Sequence, residues 1–371
     1  MKFGSEKAAS IGNNGFTEYT QAHPLLVGAI TIGLLLTVMS ISISVGPAAI
    51  GWGEVFSLLR NALFQPLAEV GSDIDPIGAD TWQKTIVWEL RLPRVICAAL
   101  VGAALALSGA ILQGLFRNPL ASPSVLGVSS GATLGAVMAI FFGLAATIAW
   151  ILPIFAFAGA LVTLFVVYAI ATQRGRTPIT TLLLSGIAVN AFNIAMSSFV
   201  LALAMDSWEV GRTIVYWTMG GLDGRTWDHV LLIAPVLLAG LAVILAYERD
   251  LDALLMGEIH AAAVGVDVTR VRIILLICAA VLTGVAVAIS GGIAFIGLVV
   301  PHIVRLLAGP HHRALLPLSA LGGALILVAA DLLLRGLFQE HNIPLGVVTA
   351  AMGAPFFLFL LLRQQDSTRA S

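Results

Sequence analysis

The sequence predicts an all-α, polytopic membrane protein of ten transmembrane helices with both termini in the cytoplasm. Of its 371 residues, 59% are hydrophobic and 11% are charged, whereas soluble proteins average about 45–50% and about 25%. Apolar stretches of about 20 residues, the length needed to cross a bilayer, recur along the chain. Because the alternating pattern of a membrane β-barrel is absent, these stretches must satisfy their backbone groups as helices.

The first elements are a polar N-terminal segment, 1–24, and an apolar segment, 25–45. The apolar segment is longer than the roughly 7–15 residues of a signal-peptide core, so we expect an uncleaved first helix. Nine more apolar segments complete a transmembrane domain over 25–363, namely 95–116, 124–143, 148–172, 178–205, 229–247, 268–290, 293–308, 314–334 and 343–362. The segment 293–308 is the shortest and contains Pro301, so we expect it to be broken or tilted. Residues 364–371 form a polar cytoplasmic tail.

The distribution of Lys and Arg indicates the orientation of these spans. With both termini in the cytoplasm, twelve of the 19 basic residues lie inside and seven outside. The long segment 46–90 is then periplasmic, and Arg91 and Arg94 lie on the side where basic anchors are not expected. Pro93, between them, predicts a stiff start to the second helix with Arg91 in an extended approach above the membrane.

Two similar stretches suggest an internal duplication. "ALALSGAILQGL" at 104–115 resembles "AVAISGGIAFIGL" at 286–298. In the ten-helix count the first copy runs inward and the second outward. The sequence therefore predicts an inverted repeat, which is a common architecture of transporters.

Several kinds of chemistry are absent from the sequence. The lysines are Lys2, Lys7 and Lys84, and none follows a glycine, so the chain has no P-loop and we expect no enzyme activity. Cys97 and Cys278 lie in apolar runs, where a thiol usually packs as a small hydrophobic group. The net charge of -1 gives no reason to expect a nucleic-acid partner.

The interior also lacks the chain of carboxylates and histidines that proton relays need. Asp331 is the main candidate, but Arg335 follows one turn later, so an ion pair at the membrane edge explains it. A secondary transporter or stand-alone channel consequently remains only a remote alternative.

The longest inward-facing loop, 247–272, mixes charged residues with helix-forming Ala, Leu and Met. Gly257 and Gly265 are expected to divide it into short pieces. A short amphipathic helix here has two interpretations that the residues alone do not separate, a lipid-surface element and a docking surface for a soluble partner.

Long motifs along the chain point to one family. They include "RNPLASPSVLGVSSGA" at 117–132, "LLMGEIHAAAVGV" at 254–266, "SGGIAFIGLVVPHIVRLLAGP" at 290–310 and "IPLGVVTAAMGAP" at 343–355. With these motifs the chain resembles the FecCD-type permeases, the membrane subunits of ABC importers for iron-siderophore complexes, haem and vitamin B12. The resemblance covers the chain from about residue 86 to residue 363.

The resemblance implies a homodimer in the bacterial inner membrane, with a translocation path along the dimer axis. Two cytoplasmic ATPase subunits and one periplasmic substrate-binding protein are the implied partners. ATP and Mg²⁺ are bound by the ATPase subunits, so this chain is expected to hold no cofactor. Transport is expected to proceed by alternating access.

The resemblance also implies roles for particular cytoplasmic residues. The segment 248–267 is the coupling segment that enters a groove of the ATPase, and its matching positions are Gly257, Glu258, Ala262 and Gly265. Positions that constrict the inner mouth of the path match Asn118, Leu120 and Thr180. For these three residues ordinary turn chemistry is the alternative, since Asn-Pro is itself a turn signal.

On the outer side, the resemblance implies that Arg91, Arg94 and Arg335 receive acidic residues of the binding protein. The rigid fork of arginine suits this task because it binds a carboxylate through two hydrogen bonds. The alternatives are that Arg91 pairs with Glu89 or with lipid headgroups, and that Arg335 pairs with Asp331.

Haem is the substrate that the resemblance favours, with a ferric siderophore or cobalamin as alternatives. The side chains that could favour a flat porphyrin near the outer half are Met196, Met205, Met219, Tyr216, His229 and His341. Methionine is more often a packing residue, so this set is a weak guide to the substrate.

Overall fold

The computed structural model describes residues 23–46, 48, 50, 51, 53–57, 60, 79–148, 150–172, 177–338 and 342–369. Most of the predicted N-terminal segment and much of the segment 46–90 lie outside these residues. Among the described residues all regular secondary structure is helical.

The α-helices follow the predicted apolar segments closely. They are α1 (Pro24–Ser44), α2 (Ala79–Thr85), α3 (Leu92–Phe116), α4 (Val128–Phe141), α5 (Ile151–Ala171), α6 (Ile179–Ala204), α7 (Trp208–Met219), α8 (Trp227–Ala246), α9 (Glu248–Leu255), α10 (Glu258–Ala263), α11 (Val268–Ser290), α12 (Ile296–Ala308), α13 (His312–Leu337) and α14 (Leu345–Arg369). Each of the ten predicted spans contains one of them. In the described part of the chain, seven helices are long and apolar enough to cross a membrane, whereas α4, α12 and the apolar part of α14 are shorter. The count of ten crossings therefore stays a prediction.

Helix α3 forms the centre of the bundle. In the most apolar 18 residues of the continuous helical stretch Trp82–Phe116, which contains α3, 83% are buried, compared with 11% in those of α1. Glycines let its backbone touch two neighbours: a Cβ added at Gly102 would lie 2.2 Å from the carbonyl oxygen of Gly323 in α13, and one at Gly109 would lie 1.7 Å from that of Gly297 in α12. Small residues at such crossings allow helices in lipid to pack by close van der Waals contact.

The start of α3 differs from the prediction. A π-helical turn, Ile86–Arg91, joins α2 to α3, and Arg91 has helical angles of φ -78° and ψ -46°. The expected extended approach of Arg91 is therefore wrong. A proline inside a helix lacks the N–H donor and crowds the carbonyl four residues earlier. The wider π turn, in which the N–H of Leu92 bonds the carbonyl of Val87, lets the helix continue into Pro93 instead of starting there.

The interruption expected in the segment 293–308 lies at its start and not at Pro301, through which helix α12 is continuous. The helix begins at Ile296, beside the middle of α3, after an unwound stretch in which Gly291 and Phe295 have φ of +65° and +66°. The predicted repeat thus contains two conformations, because 104–115 is continuous helix while 286–298 breaks at 291–295. Helices α3 and α11 do run in opposite directions, but the inverted symmetry itself stays a prediction.

Polar and charged side chains gather at two opposite ends of the bundle. One, which we name the arginine end, comprises residues 42–46, 48, 91–94, 220–226 and 331–335. The other, the coupling end, comprises residues 114–120, 177–180, 248–272 and 308–313. Since α3 has 25 residues and a helix rises 1.5 Å per residue, the two ends lie about 37 Å apart.

Candidate functional sites at the two ends of the bundle

Arg91, at the arginine end, is a buried residue with 5% of its surface exposed. Its guanidinium donates hydrogen bonds to the carbonyl oxygens of Ile43 and Ser44, at 3.0 Å each, and of Ala48, at 2.5 Å. A cation at this position also complements the negative end of the α1 dipole. Among the described residues, the hydrogen-bond partners of Arg91 are thus backbone carbonyls, and its docking role stays a prediction.

Arg94 and Arg335 share one buried carboxylate. Asp331 is fully buried, and it accepts from Nη2 of Arg94 at 2.8 Å and from Nε of Arg335 at 3.0 Å. Arg335 also bonds the carbonyl oxygen of Val45 at 2.9 Å and the hydroxyl of Ser42. The pair of Arg335 with Asp331, the alternative to docking, is therefore present. Two guanidinium groups compensate the buried negative charge, which would be costly if it were unpaired.

Arg94 differs from the other two arginines because it has an exposed partner. Its Nη1 lies 2.5 Å from Oδ1 of Asp223, and the Asp223 side chain is 81% exposed. An acidic residue of another protein that binds this face of Arg94 would either displace Asp223 or share the guanidinium with it.

A cavity of about 590 Å³ lies beside the arginine end. Trp208, Arg212, Tyr216 and Trp217 of α7 contribute much of its lining, and the guanidinium of Arg212 sits 5.4 Å from the centroid of the Tyr216 ring. The volume is in the range of about 300–1,000 Å³ that small-molecule sites have. Helix α7 is not among the predicted apolar segments, although charged and aromatic residues recur every four positions in "WEVGRTIVYW".

The residues predicted to contact the substrate lie in different places. Tyr216 lines the cavity, whereas Nδ1 of His229 takes part in the capping box of Thr226 at the start of α8. Met205 and Met219 are exposed and do not line the cavity. Met196 is half-buried. His341 lies outside the described residues.

At the coupling end, two glycines bound the short helix α10, as the sequence predicts. Gly257 has φ +114° and Gly265 has φ +90°, which are conformations that favour glycine. Glu258 bonds Arg272 at 2.5 Å, and Arg272 also donates to the carbonyl of Thr177. Ala262 is exposed. Three large apolar side chains around α10 are also exposed: Met256 at 73%, Ile259 at 85% and Val264 at 74%.

The three predicted gate residues also lie at the coupling end. Oδ1 of Asn118 accepts from the backbone N–H of Leu120 at 2.9 Å, which is the ordinary turn chemistry named above as the alternative. Leu120 is half-buried, and Thr180 is exposed in the first turn of α6. Their gating role stays a prediction.

A second contact at the coupling end, between Asp252 and His312, was not predicted from the sequence. Oδ1 of Asp252 in α9 accepts from the backbone N–H of His312 at 2.9 Å and bonds Nδ1 of the His312 ring at 2.7 Å. Burial alone would raise the pKa of the Asp252 carboxyl, but the hydrogen bonds from His312 hold it below its usual range. No spacing rule could reveal the pair, since 60 residues separate its members.

Comparison with known proteins places these features in a family. The family model of the FecCD transport family matches residues 34–363. The chain belongs to this family. All ten of the predicted docking, coupling and gate residues of this FecCD protein fall within the matched range. FecCD proteins are the membrane components of ABC importers, so the chain is a multi-pass membrane permease, of the kind found in the inner membrane of bacteria.

Relatives of this FecCD permease differ in what their names say they transport. It is 45% identical over 355 residues to a cobalamin import system permease of Halobacterium salinarum, covering 95% of this chain and 91% of the relative. It is 42% identical over 284 residues to a hemin transport system permease of Yersinia pestis, covering 76% of this chain and 84% of the relative.

A solved structure supports the same fold. It is an inward-facing ABC transporter assigned to the metal-chelate type, with a TM-score of 0.77 and 31% identity, covering 92% of this chain and 99% of that one. The arrangement of the helices is thus similar to that of a solved ABC transporter, in agreement with FecCD membership.

Proposed function

We propose that this permease forms a homodimer that imports a tetrapyrrole-type metal complex from the periplasm to the cytoplasm by alternating access. Two ATPase subunits and one periplasmic substrate-binding protein complete the importer. Both termini and the coupling end face the cytoplasm in this proposal, and the arginine end faces the periplasm. ATP is bound and hydrolysed by the ATPase subunits.

The exposed apolar surface of α10 carries this proposal. Ile259 of α10 and its flanking residues Met256 and Val264 are exposed outside the long apolar segments, next to charged residues. Clustered apolar side chains on a polar surface are typical of a protein-docking site. Such side chains also suit a lipid surface, but the chain belongs to the FecCD transport family, whose members work with an ATPase, so docking of an ATPase is the interpretation that we propose. Gly257, Glu258, Ala262 and Gly265 are the residues proposed to shape this contact.

At the arginine end, Arg94 is the residue whose position best supports docking of the binding protein. Asp223 already pairs with it at the surface, which demonstrates that a carboxylate fits there. Arg335 supports Arg94 through their common partner Asp331, and Arg91 fixes the carboxyl end of α1 next to them. Exposed pairs are worth about 0–1 kcal/mol each, so they orient the partner more than they hold it.

The cavity next to α7 supports the substrate class. Trp208 and Tyr216 offer aromatic faces to a flat macrocycle, and Arg212 offers a cation to its acidic groups. Haem and cobalamin both contain such a macrocycle, and relatives are named for each. A ferric siderophore is the alternative, because a solved relative is of the metal-chelate type.

Liposome uptake tests the function. Liposomes that contain the permease with its ATPase and binding protein are expected to accumulate the substrate only when ATP and the binding protein are both supplied. Uptake without either would instead indicate a channel or secondary transporter. The ligand that the binding protein retains on purification tests the substrate, and a ferric siderophore there would contradict the tetrapyrrole assignment.

A further inference from the structure

The Asp252–His312 contact links two elements with different tasks. Asp252 belongs to α9, which leads directly into the exposed helix α10, and His312 is the first residue of α13. A single carboxylate oxygen accepts from both the backbone and the ring of His312. Two bonds to one residue fix its orientation as well as its distance.

The His312 side of the contact is buried and closely packed. The His312 side chain is fully buried, and its Nε2 lies against Gly114 of α3, where an added Cβ would approach it to 2.6 Å. The Asp252 side chain is 31% exposed, so water reaches the carboxylate but not the ring, and the hydrogen bond is strengthened by the charge of its acceptor. The start of α13 is held between α9 on one side and α3 on the other.

Helix α13 connects this contact to the arginine end. Asp331, near its other end, is the carboxylate that Arg94 and Arg335 share. His312 and Asp331 are 19 positions apart, which corresponds to about 29 Å along a helix. Helix α3 also reaches from α9, where Leu251 lies beside Gly114, to Arg94, but among the described residues α13 is the helix of the arginine end that is hydrogen-bonded to α9.

Pro317 weakens the first turn of α13, and the Asp252–His312 contact can hold that turn in place. It lies inside α13, five positions after His312, and a proline there removes the hydrogen bond to the carbonyl of Arg313. The first turn of α13 is consequently the part that can bend relative to the remainder. The Asp252–His312 contact anchors this turn to α9.

We propose that Asp252 and His312 are positioning residues that transmit movement of α9 and α10 to α13, and through it to the arginine end. The proposal rests on the proposed function, in which α10 docks on the ATPase and the arginine end docks on the binding protein. The exposed Glu258–Arg272 pair holds α10 to α11, but α11 carries no residue of the arginine cluster. The Asp252–His312 contact therefore supplies a hydrogen-bonded route from α9 to Asp331, beside the packing of α3 against α9 at Gly114 and Leu251.

The test uses the complete complex reconstituted in liposomes, with the rate of ATP hydrolysis measured with and without the loaded binding protein. His312→Ala is expected to lower the stimulation by the binding protein about tenfold, a size common for coupling between sites. Basal hydrolysis is expected to stay within about twofold, because docking of the ATPase on α10 is unchanged. His311→Ala is the matched control, since His311 is the exposed neighbour whose ring lies 3.9 Å from Asp252.

A pair of amide variants keeps the test valid if the alanine variant does not assemble. Asparagine at 312 places a donor where Nδ1 lies, so His312→Asn is expected to retain stimulation. Glutamine places its amide where Nε2 lies, so His312→Gln is expected to lose it. Equal stimulation in both amide variants, or equal loss of basal and stimulated hydrolysis in His312→Ala, would overturn the proposal. Absence of ATP-dependent uptake by the wild-type complex would instead contradict the proposed function.

Discussion

Arg91, Arg94 and Arg335 carry the same side chain but have different partners. The sequence could place all three on one side of the membrane, because that inference needs only a count of helices. It could not rank them, since the carbonyls that bind Arg91 lie 43 to 48 residues earlier in the chain. Within the part of the chain that the structure describes, Arg94 is the one of the three that pairs with an exposed acid. Its role is therefore best tested through that acid.

Asp223→Asn is expected to strengthen binding of the loaded binding protein. The substitution removes the negative charge that occupies the exposed face of Arg94, and an exposed pair is worth about 0–1 kcal/mol, so the expected gain in affinity is up to about fivefold. The dissociation constant measured at low and high salt checks this, and the gain is expected to shrink at high salt.

The control for this experiment is Asp228→Asn, which removes an exposed acid in the first turn of α8. An equal gain in both variants would point to general electrostatics. Weaker binding in Asp223→Asn would indicate that Asp223 itself contacts the partner.

At the scale of elements, glycine determines which helices touch α3. The backbones of α3 and α12 meet at Gly109 and Gly297, and those of α3 and α13 meet at Gly102 and Gly323. In each case the neighbouring atom is a backbone carbonyl, which cannot move aside like a flexible side chain. Gly297 is in the first turn of α12, so this contact lies directly after the non-helical stretch 291–295.

Gly109→Ala is expected to destabilise the permease by about 1–3 kcal/mol, the usual cost of overpacking a core. The unfolding temperature of the detergent-solubilised protein checks this. Gly33→Ala in α1 is the matched control, because an added Cβ there meets nothing within 4 Å and alanine favours a helix. If the two variants unfolded at the same temperature, the contact of α3 with α12 would be looser than described.

The helices were predictable to the extent that apolar runs define them. All ten predicted segments contain a helix, because backbone groups in lipid have no other way to be satisfied. The π turn before Pro93 and the helix α7 were not predicted, since neither is an apolar run. Gly257 and Gly265 were recognised as breaks in the coupling segment, but the Asp252–His312 contact depends on tertiary packing. The helices can therefore be predicted from local sequence patterns, whereas most of the site depends on contacts between residues far apart in the chain.

At the scale of the whole molecule, function requires that the two ends of the bundle face opposite sides of the membrane. The arginine end and the coupling end lie about 37 Å apart along α3, which exceeds the about 30 Å of a bilayer's hydrocarbon core. Each end can thus meet water and a soluble partner. The charge bias that assigns the coupling end to the cytoplasm is modest, with twelve basic residues against seven, so the orientation requires a direct measurement.

Single cysteines and a membrane-impermeant maleimide measure this orientation in spheroplasts. The native Cys97 and Cys278 are buried, so the wild-type protein is expected to remain unlabelled. Asp206→Cys, exposed after α6, is expected to react in intact spheroplasts, whereas His311→Cys at the coupling end is expected to react only after permeabilisation. Ser5→Cys is expected to behave like His311→Cys if the N-terminus is cytoplasmic. Labelling of His311→Cys but not of Asp206→Cys in intact spheroplasts would invert the orientation. If Ser5→Cys alone changed sides, α1 would not cross the membrane in the predicted direction, and the count of ten spans would fail.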